Sequence, residues 1–476
     1  MQITTEQFKQ ASTKALKNGQ IQRSLSKVSS GFEQARRRAV NELTSDVWEQ
    51  YREQARQIKD HTIENLDYYL NLLTDRLEHN GAVVHFAKDS KEANAIVLDV
   101  ARSRGVKTIT KSKSMVSEEI GLNEVLETNG IEPIETDLGE YILQLANETP
   151  FHLVAPALHK SKKEVADLFN RKLRTSKKAS IGALTLAARR ELRGKFLKAD
   201  MGITGVNFAV AETGTIALFT NEGNGRMSTS IPRIHMALMG MEKVVPTLED
   251  MAVMLRILPR AATGQRITSY VTLVSGPRRP DEEDGPEEFH LVVIDNGRSK
   301  LLRDPELREA LNCIRCGACL NTCPVYQSVG GHAYGWVYPG PIGSIITPVL
   351  TGLSKANDLP FASTLCGACK DACPVKINIP RMLIKLRKDL KEGDKSSRNV
   401  AISEKVAVTL WKHLTLSTGK MAFARSLGTF LQRPLTRGKF MKNIPFPPFS
   451  KWTKYRDFPS LAPRSFKKIW EKRKWQ

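Results

Sequence analysis

All seven cysteines of the 476-residue chain fall within 61 consecutive positions, 313–373. The segment opens with Cys313-Ile-Arg-Cys316-Gly-Ala-Cys319-Leu-Asn-Thr-Cys323-Pro324, a complete C-x2-C-x2-C-x3-C-P run. It closes with Cys366-Gly-Ala-Cys369-Lys-Asp-Ala-Cys373-Pro374, the same run without its first cysteine. Such spacing holds iron–sulfur clusters: tight loops turn successive thiolates toward one cluster, and the last cysteine, followed by proline, ligates the other. A disulfide framework calls for an even count and an oxidising compartment, and this chain has seven cysteines and no apolar signal core at its start. A zinc ribbon would use two C-x2-C pairs and leave three thiols without a role. Free structural cysteines would be scattered along the chain.

Crossed ligation divides the seven unequally. Cys313, Cys316, Cys319 and Cys373 surround a first cluster with four thiolates, and Cys323, Cys366 and Cys369 give a second one three. Ser363 stands where the missing cysteine would be. Either a serine, solvent or another non-cysteine ligand holds the fourth iron, or the site carries a three-iron cluster. The plainer reading of Ser363 is an ordinary loop hydroxyl.

The length allows two or three domains. No apolar run approaches the eighteen or so residues needed to span a bilayer. Reduced thiols without an export signal point to the cytoplasm. The formal charge is +22, and the last 44 residues hold 13 Lys and Arg against Asp457 and Glu471, half of the excess. Nucleic acid, an anionic membrane surface and an acidic partner all fit a tail of that kind.

Four regions follow from the texture of the chain. Residues 1–80 read as helices, with Val47, Tyr51, Ile58, Ile63, Leu66, Leu70, Leu73 and Leu77 at helical spacing. Residues 81–298 alternate strands and helices, which predicts a mostly parallel sheet flanked by helices. Strands are expected near 82–86, 106–110, 131, 206–210, 215–220, 269–274 and 290–294, and helices after Asp89 and over 116–127 and 184–198. Residues 299–395 form a helical cysteine-bearing region, with helices expected over 303–311, 344–353 and 379–391. Residues 396–476 are a basic, aromatic-containing tail with a helix near 404–414.

Inside the α/β region, Glu212-Thr-Gly214 precedes a strand, and Glu222-Gly-Asn-Gly225-Arg226 follows it. Loops at strand ends of an open α/β sheet are where ligands bind, so Glu212 and Arg226 are candidate site residues; two tight scaffold turns explain the pattern equally well. No G-x-G-x-x-G opens a helix, and there is no G-x-S-x-G or P-loop. His332 lies between the cysteine runs and is the histidine to test for a role near a cluster.

Together these pieces resemble a known family. The α/β region, with its Glu212-Thr-Gly214 and Asn224-Gly-Arg226 segments, resembles the LUD domain of lactate utilization proteins. Over nearly its full length the chain resembles the lactate utilization protein B family, most specifically in its two cysteine runs. The resemblance implies a fold akin to sugar-phosphate isomerases and CoA transferases over about 60–300, followed by a helical ferredoxin-like domain. It implies two [4Fe-4S] clusters on Cys313, Cys316, Cys319, Cys323, Cys366, Cys369 and Cys373. It also implies work with companion proteins A and C in oxidising L-lactate to pyruvate. The cysteine region is similar, too, to the helical ferredoxin half of succinate dehydrogenase iron–sulfur subunits. There the second cluster has three cysteines and three irons, so [3Fe-4S] stays open for the second site.

The expected role is electron transfer inside a lactate-oxidising complex, toward an acceptor the sequence does not name. The alternative makes the α/β domain catalytic or acid-binding, with Glu212 as base or nucleophile and Arg226 fixing the substrate. A nucleic-acid-binding role ranks last, because the tail carries no recognised reading motif. The tail's aromatics and lysines also suit peripheral contact with the inner face of an anionic membrane.

Overall fold

The computed structural model describes residues 3–393, 402–437, 439–442, 444–445, 450, 453–454 and 456–473. The chain divides into two units, 1–398 and 399–476. Among the described residues of the first unit there are ten strands: β1 (Val83–Ala87), β2 (Thr108–Lys111), β3 (Glu132–Glu135), β4 (Met201–Gly205), β5 (Phe208–Val210), β6 (Thr215–Thr220), β7 (Ile234–Gly240), β8 (Val244–Val245), β9 (Tyr270–Val274) and β10 (Glu288–Ile294). Six of them form one sheet in the order β1-β10-β7-β4-β2-β3, with every pairing parallel. A smaller sheet runs β8-β5-β6-β9.

Strand β7 is buried at all seven positions and β10 at six of seven, as parallel strands covered on both faces by helices must be. The expected cap after Asp89 forms: its carboxylate accepts the N–H groups of Lys91 and Glu92, while Glu92 accepts from the Lys88 N–H. The helix it starts, Ser90–Ser103, turns Ala93, Val97 and Ala101 into the core. Three expected elements are interrupted. The periodic stretch after Glu42 breaks at Asn65 into Ser45–Glu64 and Leu66–His79. The helix over 116–127 splits into Met115–Glu119 and Leu122–Thr128. Pro305, which cannot donate an N–H, separates the helix Arg298–Arg303 from the 3-10 turn Arg308–Asn312.

The N-terminal helices bind the cysteine region to the sheet region. Arg52, on the helix Ser45–Glu64, donates to the Cys373 carbonyl at 2.9 Å, and Lys376 pairs with Glu49 at 2.6 Å. Gln22 reaches the Ser328 carbonyl at 2.7 Å. One apolar core runs through Trp48 and Ile58, Phe208 and Ile257, and Leu320 and Ile345. The 399–476 unit contains helices Ile402–Thr415 and Thr418–Leu431, a three-stranded antiparallel sheet and the helix Phe466–Lys472. Several aromatic and proline positions of the tail, at 446–449 and 452, lie outside the described residues. Among the described residues no helix is long and apolar enough to cross a membrane.

His235 on β7 gives the fold a pH dependence. It is fully buried, pairs with the Thr204 hydroxyl at 2.9 Å and stacks on Phe289 at 4.9 Å. Burial holds its pKa down at about 3. An unfolded histidine takes up a proton below about 6.5, so the stability linked to this residue is complete above that pH. It declines as pH falls toward 3, because the unfolded state protonates first. The melting temperature should therefore drop between about pH 6.5 and 4, and His235→Leu should lessen that slope. Equal slopes in the two proteins would assign the acid sensitivity elsewhere.

Candidate functional site

The two cysteine runs use one backbone turn twice. In the first, Arg315 (φ 61°) and Gly317 (φ 75°) are left-handed on either side of Cys316, and Gly317 starts the helix Ala318–Asn321. In the second, Leu365 (φ 58°) and Gly367 (φ 88°) flank Cys366, and Gly367 starts Ala368–Ala372. A non-glycine residue in that region costs about 1 kcal/mol and persists where its surroundings enforce it. Ser363 occupies the place in this turn that Cys313 has in the first. Its hydroxyl accepts the Leu365 N–H at 3.1 Å, closing a local turn.

The fold gathers thiols across the runs. Cys313, Cys316, Cys319 and Cys373 line one small cavity whose other walls include Ile314, Ile342 and Val375. Burial pushes the Cys316 thiol up, with Cys373 and Cys313 adding to the effect. Burial also raises Cys373, to about 12, against a lowering N–H from Ile377, which lies 3.4 Å from its sulfur. Cys323, Cys366 and Cys369 interact in the same way. Burial and then Cys323 raise Cys369 to about 12, and burial with Cys366 raises Cys323. Cys366 is exposed, and hydrogen bonds from the Thr364 side chain and the Ala368 N–H hold its thiol below the usual range.

This donor set fits iron–sulfur clusters: soft sulfurs, a dry surrounding and N–H groups aimed at sulfur. Iron would displace the protons that burial otherwise keeps on the thiols. Among the described residues no three such side chains converge as a single-ion site. A lone zinc would draw its ligands to about 2.3 Å of one point, whereas a cluster separates them onto different irons.

Above the first thiol group lies a pocket of about 400 Å³. It opens at the carboxyl ends of three neighbouring strands, where Ser112–Ser114 follow β2, Val206 and Asn207 follow β4, and Glu242 and Lys243 follow β7. Arg315 and Cys316 close it from the cysteine side. Open α/β sheets bind ligands at such an edge.

A buried ionic array backs the pocket. Arg298 donates through both Nη atoms to the two Glu119 oxygens at 2.8 Å and through Nε to Glu242 at 2.7 Å. Arg315 reaches the other Glu242 oxygen at 3.2 Å and lies over the Tyr338 ring at 4.7 Å. Tyr338 donates to Glu119 at 2.6 Å. Burial pushes the Glu242 carboxyl up, but Arg298 and then Arg315 outweigh it and hold it at about 2. Lys243 is lowered to about 8 by burial and by Arg315, and burial brings Lys59 to about 7. Gly240 makes room for the array: a Cβ there would sit 2.2 Å from Glu242 Oε2 and 2.4 Å from Arg298 Nε.

The candidates chosen around the glycine turns lie elsewhere. Glu212 Oε1 accepts the N–H of Leu248, the first residue of the helix Leu248–Ala262, at 2.9 Å. Arg226 lies over the Tyr270 ring at 5.2 Å. The two flank opposite ends of β6, a six-residue strand that puts roughly 20 Å between them. Neither lines the pocket. His332 donates through Nε2 to the Thr149 carbonyl (2.8 Å) and packs against Phe151 and His159, both at 4.8 Å. It lines a separate depression with Glu148.

Residues 70–294 match the LUD domain model, 309–377 a 4Fe-4S dicluster domain, and 386–475 the C-terminal domain of lactate utilisation protein B. "Lactate utilization protein B" of Oceanobacillus iheyensis is 44% identical over 466 residues, 98% of this chain and 96% of that protein. The chain belongs to the lactate utilization protein B family. The family member of Bacillus subtilis is 43% identical over 463 residues, 97% of this chain and 95% of its own length. A crystal structure of a DUF162 family protein from Deinococcus radiodurans is 16% identical, with a TM-score of 0.28, over 48% of this chain and 98% of that one. Family membership thus joins an α/β LUD domain to an iron–sulfur region in one chain, the fold class expected from the sequence.

Proposed function

We propose that this protein is the iron–sulfur electron-transfer component of a system oxidising L-lactate to pyruvate, working with companion proteins A and C of the lactate utilization family. The observation that carries the reading is the gathering of seven cysteines into two groups, one of which reaches solvent through Cys366. Cys316, Cys319 and Cys373 of one group and Cys323 and Cys369 of the other are buried, Cys313 is half-buried and Cys366 is exposed. Clusters held there, two of them with [4Fe-4S] first and [4Fe-4S] or [3Fe-4S] second, would supply one-electron carriers, whereas lactate oxidation releases two electrons. The chain's own contribution is to bury most of these thiols, to direct N–H groups at their sulfurs, and to leave Cys366 of the second group near solvent for a redox partner. Cys319 links the two sets: burial raises its thiol, and so do Cys313 and Cys316 on one side and Cys369 on the other. In the 399–476 unit, Trp411, Phe423 and Phe430 are exposed on helices, an apolar face that suits docking of a companion protein.

The test is anaerobic purification of the chain alone. It should contain near seven to eight irons, accept electrons from dithionite, and convert no lactate with an artificial acceptor. Lactate turnover without companions would overturn the relay reading in favour of catalysis in the LUD domain, and iron-free protein would end it.

A further inference from the structure

The buried array behind the pocket holds more positive than negative charge. Arg298, Arg315, Lys59 and Lys243 stand against two carboxylates, Glu119 and Glu242. Both carboxylates already receive guanidinium N–H groups from the two arginines. Lys59, 1% exposed, donates to the backbone carbonyls of Glu242 and Val244. Neither Lys59 nor Lys243, itself 7% exposed, has a carboxylate in ion-pair range among the described residues. Arg315 has a buried Nη1 without a hydrogen-bond partner. Two surplus charges of one sign in a dry interior are costly unless a counter-charge lies beside them.

The first thiol group is the place for that counter-charge. Arg315 stands between Cys313 and Cys316 in the chain and lines their cavity. Glu242 accepts from Arg315 at 3.2 Å, and Lys243, the next residue, shares a pocket wall with Arg315 and Cys316. The Lys59 stretch is pinned to the same run: Asn312, just before Cys313, donates to Asp60 at 2.6 Å. Asp60 has its own counter-charge in Arg56 at 2.6 Å. Burial works against the charge on Lys59, Lys243 and Arg315, and a thiolate at Cys313 favours it on all three.

We propose that this array is the built-in counter-charge of the first cluster, and that Lys59 and Lys243 raise that cluster's reduction potential. Four thiolates around an oxidised [4Fe-4S] core leave a net charge of about −2, which the two surplus cations match. Reduction adds one more negative charge. A buried cation stabilises the reduced state more than the oxidised one, so each lysine makes the cluster a stronger electron acceptor. Both act through their charge and not as ligands. The inference rests on clusters occupying the thiol groups, and on neither lactate nor the companion proteins. The rival is a scaffold that only ties the cysteine region to the sheet.

The experiment takes the full chain, purified anaerobically with its iron, through a potentiometric titration followed by paramagnetic resonance. The signal that survives in Cys366→Ala identifies the first cluster. Lys59→Met and Lys243→Met should each lower its potential by about tenfold in the one-electron equilibrium, or about 59 mV, and leave the second cluster unmoved. Lys243→Arg, which keeps the charge, should keep the potential. Glu242→Gln removes a negative charge from the same array and should shift the potential the opposite way. Because these groups are buried, the shifts should persist at high salt. Unchanged potentials, equal shifts in both clusters, a fall in Glu242→Gln as well, or loss of the first cluster from all three variants would overturn the proposal. Iron content of the unaltered protein reports separately on whether clusters are held, and its lactate turnover on the relay reading.

Discussion

Alanine at Cys373 should strip iron from the same group as alanine at Cys316, although the two residues belong to different sequence runs. The reason is geometric. Cys373 shares a cavity with Cys313, Cys316 and Cys319, and three separate contacts hold it there: Arg52 on its carbonyl at 2.9 Å, the Ile377 N–H at its sulfur, and burial of its side chain. If each run kept its own cluster, Cys373→Ala would instead match Cys366→Ala. With crossed ligation, Cys373→Ala and Cys316→Ala should each lose about four irons and give the same residual spectrum. Cys323→Ala and Cys366→Ala should form the other matching pair. The exposed group should also yield its iron to a chelator first, because Cys366 faces solvent. A Cys373→Ala spectrum matching that of Cys366→Ala would sink the crossed arrangement.

That experiment rests on a feature legible in the sequence, for a simple reason. Cluster ligation is a matter of short-range spacing, so seven thiols and two prolines announce it without any tertiary information. Local chemistry also marked the capped start after Asp89 and the strands leading to and from that helix. The central strands β4 and β7 escaped notice. Ile-His-Met-Ala-Leu-Met-Gly is buried on both faces, so it has no alternation to read, and Met, Ala and Leu favour helix over strand. The pocket was illegible for a different reason: segments at 112–114, 206–207, 242–243 and 314–316 meet only once the sheet is ordered. Glu212 and Arg226 stood out because glycines surround them, yet β6 carries them apart. A usable signal did exist in Glu242-Lys243 directly after the apolar run of β7, since charged residues at the carboxyl end of a parallel strand face the ligand edge.

Arg298→Met should be the most destabilising single change near that edge. Arg298 is 1% exposed and neutralises Glu119 and Glu242, themselves 6% and 1% exposed. Breaking a buried ion pair by removing one partner costs about 3–5 kcal/mol, because a charge remains without its counter-charge. Here two carboxylates lose their main partner, while Arg315 continues to donate to Glu242. In the native protein Arg298 holds both carboxyl groups below their ordinary range despite burial. Without it, burial alone would raise them, and a folded-state pKa above the unfolded value removes stability as pH rises. The deficit of Arg298→Met, followed by denaturant unfolding, should therefore be larger at pH 8 than at pH 5.5. Adding Glu119→Gln and Glu242→Gln should recover part of it at the higher pH. A deficit independent of pH, unrelieved by the glutamines, would mean that Arg298 acts through packing alone. In that event the array could not be what orients Arg315 at the pocket's inner end.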